Sequence, residues 1–159
     1  AHLPLQPNTS LDWFGREIGY NYTVDVTIKA DEVTKGAVLF QSPDATVYLA
    51  SPQNGKLAFE REGYLNEFDY VLPKDRTVRL TFIGTNKETT LLVDGKFRQA
   101  LYPLTVGSAQ VNAGAAGATS DPYAASKMYY QRTLVFPLER TGNFKGQILK
   151  LAVSNFAQE

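Results

Sequence analysis

The chain has 159 residues, 43% hydrophobic and 20% charged, a balance suited to one globular domain that buries a core without staples. Lys plus Arg is 16 and Asp plus Glu is 16, with no basic run, so the counterion-displacing face of a nucleic-acid binder is missing. Cysteine is absent and histidine occurs once, as His2, which excludes disulfides, thiolate metal sites and cysteine nucleophiles and leaves no firmly held imidazole for a Ser-His-Asp triad or a zinc site.

His2 reads as a tail residue at a frayed end. The opening Ala1-His2-Leu3-Pro4 lacks the basic segment and apolar run of a signal peptide. The expectation is that a leader was removed or that the chain starts inside a longer one. No stretch approaches the run of about 18 apolar residues of a membrane helix, so membrane insertion is not expected.

Along the chain the pattern is short alternating runs split by turn residues. Residues 22–29 (YTVDVTIK) set Val24, Val26 and Ile28 on one side and Asp25, Thr27 and Lys29 on the other, which a strand of period two directs to core and water. Residues 37–41 (AVLFQ) and 46–50 (TVYLA) follow, separated by Ser42-Pro43-Asp44, a turn sequence. Asn54-Gly55 carries the positive-φ signal of a tight hairpin before residues 56–62 (KLAFERE). Gly63 then precedes residues 64–72 (YLNEFDYVL).

Residues 77–83 (TVRLTFI) place Val78, Leu80 and Phe82 on one face. Residues 89–93 (TTLLV) run into Asp94-Gly95, a second hairpin signal, and residues 96–101 return. Residues 133–136 and 147–153 (QILKLAV) are the last expected strands. Residues 106–126, rich in Gly, Ala and Ser, read as a long loop with a short helical turn near Tyr123, and loops of that length tend to be functional. About ten strands without helical crossovers imply one domain over 1–159, an all-β sandwich of two antiparallel sheets.

The stretch Leu80 to Gly95, LTFIGTNKETTLLVDG, resembles the recurrent hairpin of concanavalin A-like and laminin-G-like jelly-roll domains. Gly19-Tyr20-Asn21-Tyr22-Thr23-Val24 and Ala37-Val38-Leu39-Phe40-Gln41-Ser42 look like the family's early core strands. Gly55-Lys56-Leu57-Ala58-Phe59 with Gly63-Tyr64 is similar to the strand that follows. Phe144-Lys145-Gly146-Gln147-Ile148 with Leu151 and Val153 resembles its closing strand. The stretches 39–70 (LFQSPDATVYLASPQNGKLAFEREGYLNEFDY) and 133–148 (TLVFPLERTGNFKGQI) look closest to the C-terminal jelly-roll domains appended to bacterial family 20 β-N-acetylhexosaminidases and lacto-N-biosidases. The resemblance implies a non-catalytic accessory or carbohydrate-binding module, excised from a larger secreted bacterial protein and working outside the cell or at its surface. Its implied partners are glycans, N-acetylhexosamine- or galactose-containing, and a neighbouring catalytic domain.

Glycan recognition needs aromatic platforms and hydrogen-bonding amides, carboxylates and Arg. The 9 Tyr, 9 Phe and 1 Trp serve a β-core equally well. Trp13, before the first strand, is a stacking platform or, by preference, a plug over the sandwich edge. Arg61, Tyr64 and Asn66 gather charged, aromatic and amide groups around a glycine turn, and Tyr64, Asn66, Phe68 and Tyr70 share one face if the segment is extended. Tyr123, Tyr129, Tyr130 and Arg132 border the Gly/Ala-rich loop and form a candidate ligand lip.

Glu60 and Glu62, like Glu67 and Asp69, lie at i and i+2 on a strand, which raises a jelly-roll glycanase or lyase as an alternative. The E-x-D-x-x-E pattern of laminarinase-type enzymes fails here, and solvated strand charges are the plainer reading. A third reading is a purely structural domain bracing a catalytic neighbour. No cofactor is firmly implied. Structural calcium suits the fold class, but its candidate oxygen ligands Asp12, Asp31, Asp44 and Asp121 are scattered. The sequons at Asn8 and Asn21 are uninformative.

Overall fold

The computed structural model describes residues 4–11, 16–102 and 133–156. Among them there is no helix, and so none long and apolar enough to cross a membrane. The strands are β1 (Glu17–Ile18), β2 (Tyr22–Glu32), β3 (Val38–Gln41), β4 (Ala45–Tyr48), β5 (Ala58–Arg61) and β6 (Tyr64–Glu67). They continue with β7 (Thr77–Gly84), β8 (Thr89–Val93), β9 (Lys96–Leu101), β10 (Phe136–Pro137), β11 (Arg140–Thr141) and β12 (Lys145–Ser154). Two five-stranded antiparallel sheets, ordered β12-β2-β7-β8-β9 and β11-β3-β4-β5-β6, make the sandwich, with β1 and β10 as a two-stranded ribbon.

The first sheet follows the alternation of its sequence. Val24, Val26 and Ile28 pair with Phe82, Leu80 and Val78 across β2 and β7, and all six are buried. In the second sheet Val47 pairs with Phe59, both fully buried. Between the sheets the rings of Tyr22, Phe40 and Phe82 surround Phe136 at centroid distances of 5.8, 5.4 and 5.2 Å, all steeply inclined to it. That geometry sets ring edges against ring faces. Tyr22 enters this cluster because its hydroxyl donates to the Leu134 carbonyl at 2.6 Å, which satisfies the polar end of a buried ring. Gly84 is required beside it, since a Cβ there would lie 2.1 Å from the Tyr22 ring.

Two turns share one geometry. Asp94-Gly95 joins β8 to β9 with φ of 51° and 81°, and Glu62-Gly63 joins β5 to β6 with φ of 56° and 81°. Two successive positive φ angles match the right-handed twist of the flanking strands. Asp94-Gly95 was expected. Asn54-Gly55 was expected as a tight hairpin too, but only Gly55 has positive φ, and its N–H donates to the Ser51 carbonyl at 3.0 Å. Asn54 instead donates through Nδ2 to Glu67 at 2.8 Å, so its side chain anchors a wider turn.

The expected strand at 133–136 shrinks to β10, because Thr133 and Leu134 are turned inward to bond with side chains from the sandwich end. Residues 4–11 are docked: Leu5 and Ile148 exchange backbone hydrogen bonds of 2.8 and 3.0 Å, and Leu11 N–H donates to Glu139 at 2.9 Å. Thr141 holds this strap, donating through Oγ1 to Gln6 at 2.8 Å and accepting from Thr9 N–H at 2.8 Å. The strap thereby pairs edges that would otherwise be open to other chains. His2, Trp13, the loop 106–126 and its expected helical turn lie outside the described residues.

Candidate functional site

Antiparallel register sorts the second sheet into rows. Val47, Phe59 and Asn66 lie across β4, β5 and β6 in the core-facing row. The next row, Gln41, Thr46, Glu60 and Leu65, faces outward, with Arg140 of β11 opposite Gln41. A further outward row holds Tyr48, Ala58 and Glu67. Period-two side-chain alternation makes this assignment unambiguous once the pairing is known.

At the end of this outward face lies a cleft of about 500 Å³. The β3–β4 turn contributes Ser42, Pro43 and Asp44, β4 contributes Ala45 and Thr46, β5 contributes Glu60 and Arg61, and the β5–β6 turn contributes Glu62 and Gly63. Glu17 of β1 and Val135 complete the wall. The lining therefore presents four carboxylates, two hydroxyls and one guanidinium.

Arg61 points along the core-facing side. Its Nη1 donates to the Thr133 carbonyl at 2.9 Å and to the Tyr20 hydroxyl, and its guanidinium carbon lies 5.8 Å from the centre of the Tyr20 ring. The Tyr20 hydroxyl donates in turn to Thr133 Oγ1 at 2.8 Å. This is a clamp between β5 and the segment before β10, and it commits the cation of the cleft to the protein itself.

Glu17 touches Ser42, whose Oγ donates to its carboxylate at 3.4 Å, and Asp44 lines the same wall. Burial and the neighbouring Asp44 carboxyl hold the Glu17 carboxyl above its ordinary value, against the lowering effect of Ser42 and Arg16. The β4–β5 register sets Tyr48 and Glu60 diagonally on the outward face, and the Tyr48 phenol is raised, first by burial and then by the charge of Glu60.

Glu67 behaves oppositely. Burial alone would raise it, but hydrogen bonds from Ser51 and Asn54 and the charge of Lys56 bring it below the ordinary value. It therefore serves as an anchor for the 51–55 turn.

Of the expected site residues, the structure brings Arg61 to the cleft wall as a clamp. Tyr64 is cross-strand to Arg61, 38% exposed at the end of the sandwich. Asn66 faces inward opposite Phe59, and Phe68 is fully buried, so the face shared by Tyr64, Asn66 and Phe68 is the core side and not a free surface. β6 ends at Glu67, and Tyr70 packs beneath the Arg98 guanidinium. Trp13, Tyr123, Tyr129, Tyr130 and Arg132 lie outside the described residues.

Glu60 and Glu62 do not share a strand face: Glu60 is on β5, while Glu62 occupies the positive-φ turn. Asp69 is exposed and pairs with Lys56 at 3.5 Å. For calcium, Asp31 and Asp44 belong to different sheets, and Asp12 and Asp121 are outside the described residues. Among the described residues no group of three or more acidic or histidine side chains is placed to hold a metal.

Sequence reasoning missed Tyr48, Thr46, Ser42 and Glu17. Tyr48 had a signal, since it shares parity with Thr46 and opposes Val47 and Leu49 in TVYLA. Glu17 had none, because a two-residue strand carries no periodicity.

No family model matches the chain, and no curated protein matches it. Among solved structures it is similar to domain 4 of AbnA, an extracellular GH43 arabinanase from Geobacillus stearothermophilus, solved in complex with arabinotriose. The TM-score is 0.55 at 14% identity, over 89% of this chain and 64% of that one. The chain thus spans less than two thirds of that domain's length. Weaker likenesses are to the galectin LEC-6 of Caenorhabditis elegans (TM-score 0.47, 10% identity, 97% of this chain and 92% of that one) and to a heptameric SAP-like pentraxin of Limulus polyphemus (TM-score 0.49, 9% identity, 98% and 70%). The chain is an all-β jelly-roll sandwich of two antiparallel sheets.

Proposed function

We propose that this chain is a non-catalytic carbohydrate-binding module whose ligand occupies the cleft beside Thr46 and Glu60 and extends over Tyr48. The observation that carries the reading is the cleft itself, about 500 Å³ and walled by carboxylates and hydroxyls on the outward face of a sheet. Sugar hydroxyls donate to carboxylates in charge-assisted hydrogen bonds and exchange bonds in either direction with Ser42 and Thr46. The half-buried Tyr48 ring beside Glu60 offers the apolar platform for a pyranose or furanose face. The arabinanase domain of similar fold, held with arabinotriose, supports the same reading.

The module is proposed as an accessory domain of a secreted glycoside hydrolase, consistent with the family 20 resemblance of its sequence. Sequence flanking this chain in its parent protein tests that part directly.

Calorimetry with arabinotriose and with galactose- and N-acetylglucosamine-containing oligosaccharides tests the binding. At least one is expected to bind below millimolar concentration. Tyr48→Ala and Glu60→Gln are each expected to weaken it about tenfold, or ~1.4 kcal/mol, with an unchanged unfolding midpoint. Absence of binding to all of them at millimolar concentration defeats the reading.

One observation favours a second role on the opposite sheet. Phe97 of β9 is 68% exposed on the outward face, opposite Leu92, which suits a module that also rests against a neighbouring domain.

A further inference from the structure

One arginine on the sheet that carries the cleft is not used by the protein. Arg16 pairs with Glu139 at 3.5 Å and Arg79 with Asp25 at 3.0 Å. Arg61 bonds Tyr20 and Thr133, and Arg98 bonds the Asp69 carbonyl and covers the Tyr70 ring. Arg76 is exposed. Arg140 of β11 is half-buried, yet among the described residues no ion pair joins it, and its buried Nε–H meets no acceptor. A guanidinium does not shed its proton to escape burial, and a buried donor without an acceptor costs the desolvation of that group. Arg140 is therefore not a clamp of the kind Arg61 makes.

Register places this cation beside the cleft. Thr141 is fully buried, so Arg140, its neighbour on β11, faces outward. Arg140 stands opposite Gln41, Gln41 opposite Thr46, and Thr46 opposite Glu60. Thr46 and Glu60 line the cleft. The row thus leads out of the cleft across β4 and β3 to Arg140. Glu60, the carboxylate of that row, lies three strands from Arg140 at a spacing of about 4.8 Å per strand, and no ion pair joins the two.

We propose that Arg140 reads a carboxylate on the glycan, so that the ligand is an oligosaccharide containing a uronic acid, with a neutral sugar beside Thr46 and the uronate at Arg140. This rests on the glycan-binding reading above and names the ligand class of the same face. Nε–H and one Nη–H form an edge of the guanidinium fork that matches the two oxygens of a carboxylate. Turning that edge toward the ligand breaks no hydrogen bond at Nε. Gln41, between Arg140 and Thr46, offers an amide that donates to and accepts from the sugar hydroxyls on the way.

The experiment is calorimetry on the chain with a tetrasaccharide alternating glucuronate and N-acetylglucosamine, and with the same tetrasaccharide after its carboxyls are reduced to neutral hydroxymethyl groups. Free glucuronate and inorganic sulfate serve as anions without a glycan chain. At low salt the acidic form is expected to bind about tenfold tighter than the reduced form, and the preference to shrink as salt is added. Arg140→Met keeps the buried stem and removes every donor; it is expected to bind the two forms equally, with an unchanged unfolding midpoint. Arg140→Lys keeps the charge without the fork and is expected to retain only part of the preference. Equal binding of the acidic and reduced forms by the unaltered chain overturns the uronate assignment and leaves the glycan reading standing. A preference that survives in Arg140→Met overturns Arg140 as its source. Glucuronate or sulfate binding as tightly as the tetrasaccharide makes this a plain anion site and overturns the proposal. Failure of both tetrasaccharides and of the neutral oligosaccharides above to bind overturns both readings.

Discussion

The two sheets of this sandwich are built from the same kind of strand pairing and differ in what they do with it. In the β12-β2-β7-β8-β9 sheet the strands run 10, 11, 8, 5 and 6 residues, with aromatic or branched residues of β2 and β7 facing the core. In the β11-β3-β4-β5-β6 sheet they run 2, 4, 4, 4 and 4 residues. Short strands leave more of the chain in turns, and those turns, at 42–44 and 62–63, wall the cleft. Long pairing in one sheet supplies the rigid frame that lets the other devote its surface to polar groups.

The largest effect should come from the frame. Phe82 of β7 is 1% exposed and contacts the rings of Phe68 and Phe136. Phe82→Ala is expected to cost about 3–5 kcal/mol in chemical denaturation, whereas Thr46→Ala on the outward face of the other sheet should cost far less. Equal losses at the two positions would erase the division between frame and surface.

Arg61 sharpens the boundary between them. Loss of its bonds to Tyr20 and Thr133 should cost about 1.5–3 kcal/mol in Arg61→Ala, with Arg61→Lys recovering little because a single ammonium does not reproduce the fork. If the unfolding midpoint were unchanged while glycan binding fell, Arg61 would be a ligand contact and not a clamp.

The two tight hairpins offer a direct pairwise test. Gly63 and Gly95 both sit at φ 81°, so alanine at either should cost about 1–2 kcal/mol from backbone strain alone. Only Gly63→Ala should also alter binding, since Gly63 lines the cleft.

The smallest effects come from two carboxylates of opposite sign. Glu17, raised above its ordinary 4.5, favours the folded state when protonated. Its contribution is present below that value and is lost as pH rises through the raised folded value. Glu67, lowered by Ser51, Asn54 and Lys56, contributes above its ordinary value and loses that contribution as pH falls through the lower folded value. Stability measured against pH should therefore lose, in Glu17→Gln, the part of its decline that sets in as pH rises above 4.5, and in Glu67→Gln part of its decline as pH falls below the ordinary carboxylate range.

The strand pattern was legible where alternation runs long enough to have a period. β2, β7, β8 and β9 stand where their hydrophobic residues place them, and Asp94-Gly95 turns as its residues demand. Glu62-Gly63 turns identically; a glycine turn was legible there, but not its two successive positive φ angles, because glutamate seldom adopts positive φ and lacks the local side-chain bond that draws Asp or Asn there. The two-residue strands β1 and β11 were invisible, being defined only by the strands they meet, and β10 keeps only Phe136 of the strand expected at 133–136.

The candidate site was less legible. Arg61, Tyr64 and Asn66 are neighbours in sequence around a turn, but a hairpin places alternate residues on opposite faces, and register turned Asn66 inward. By itself the sequence determined the all-β class, the inward and outward parity of its longer strands and the lack of any thiol, because these depend on residue type and period-two spacing alone. Only the tertiary structure decided that Glu17, Asp44, Glu60 and Glu62 would meet in one cleft with Arg61 turned away from it. Their meeting depends on how two sheets and a two-stranded ribbon pack, and no local period encodes that distance in the chain.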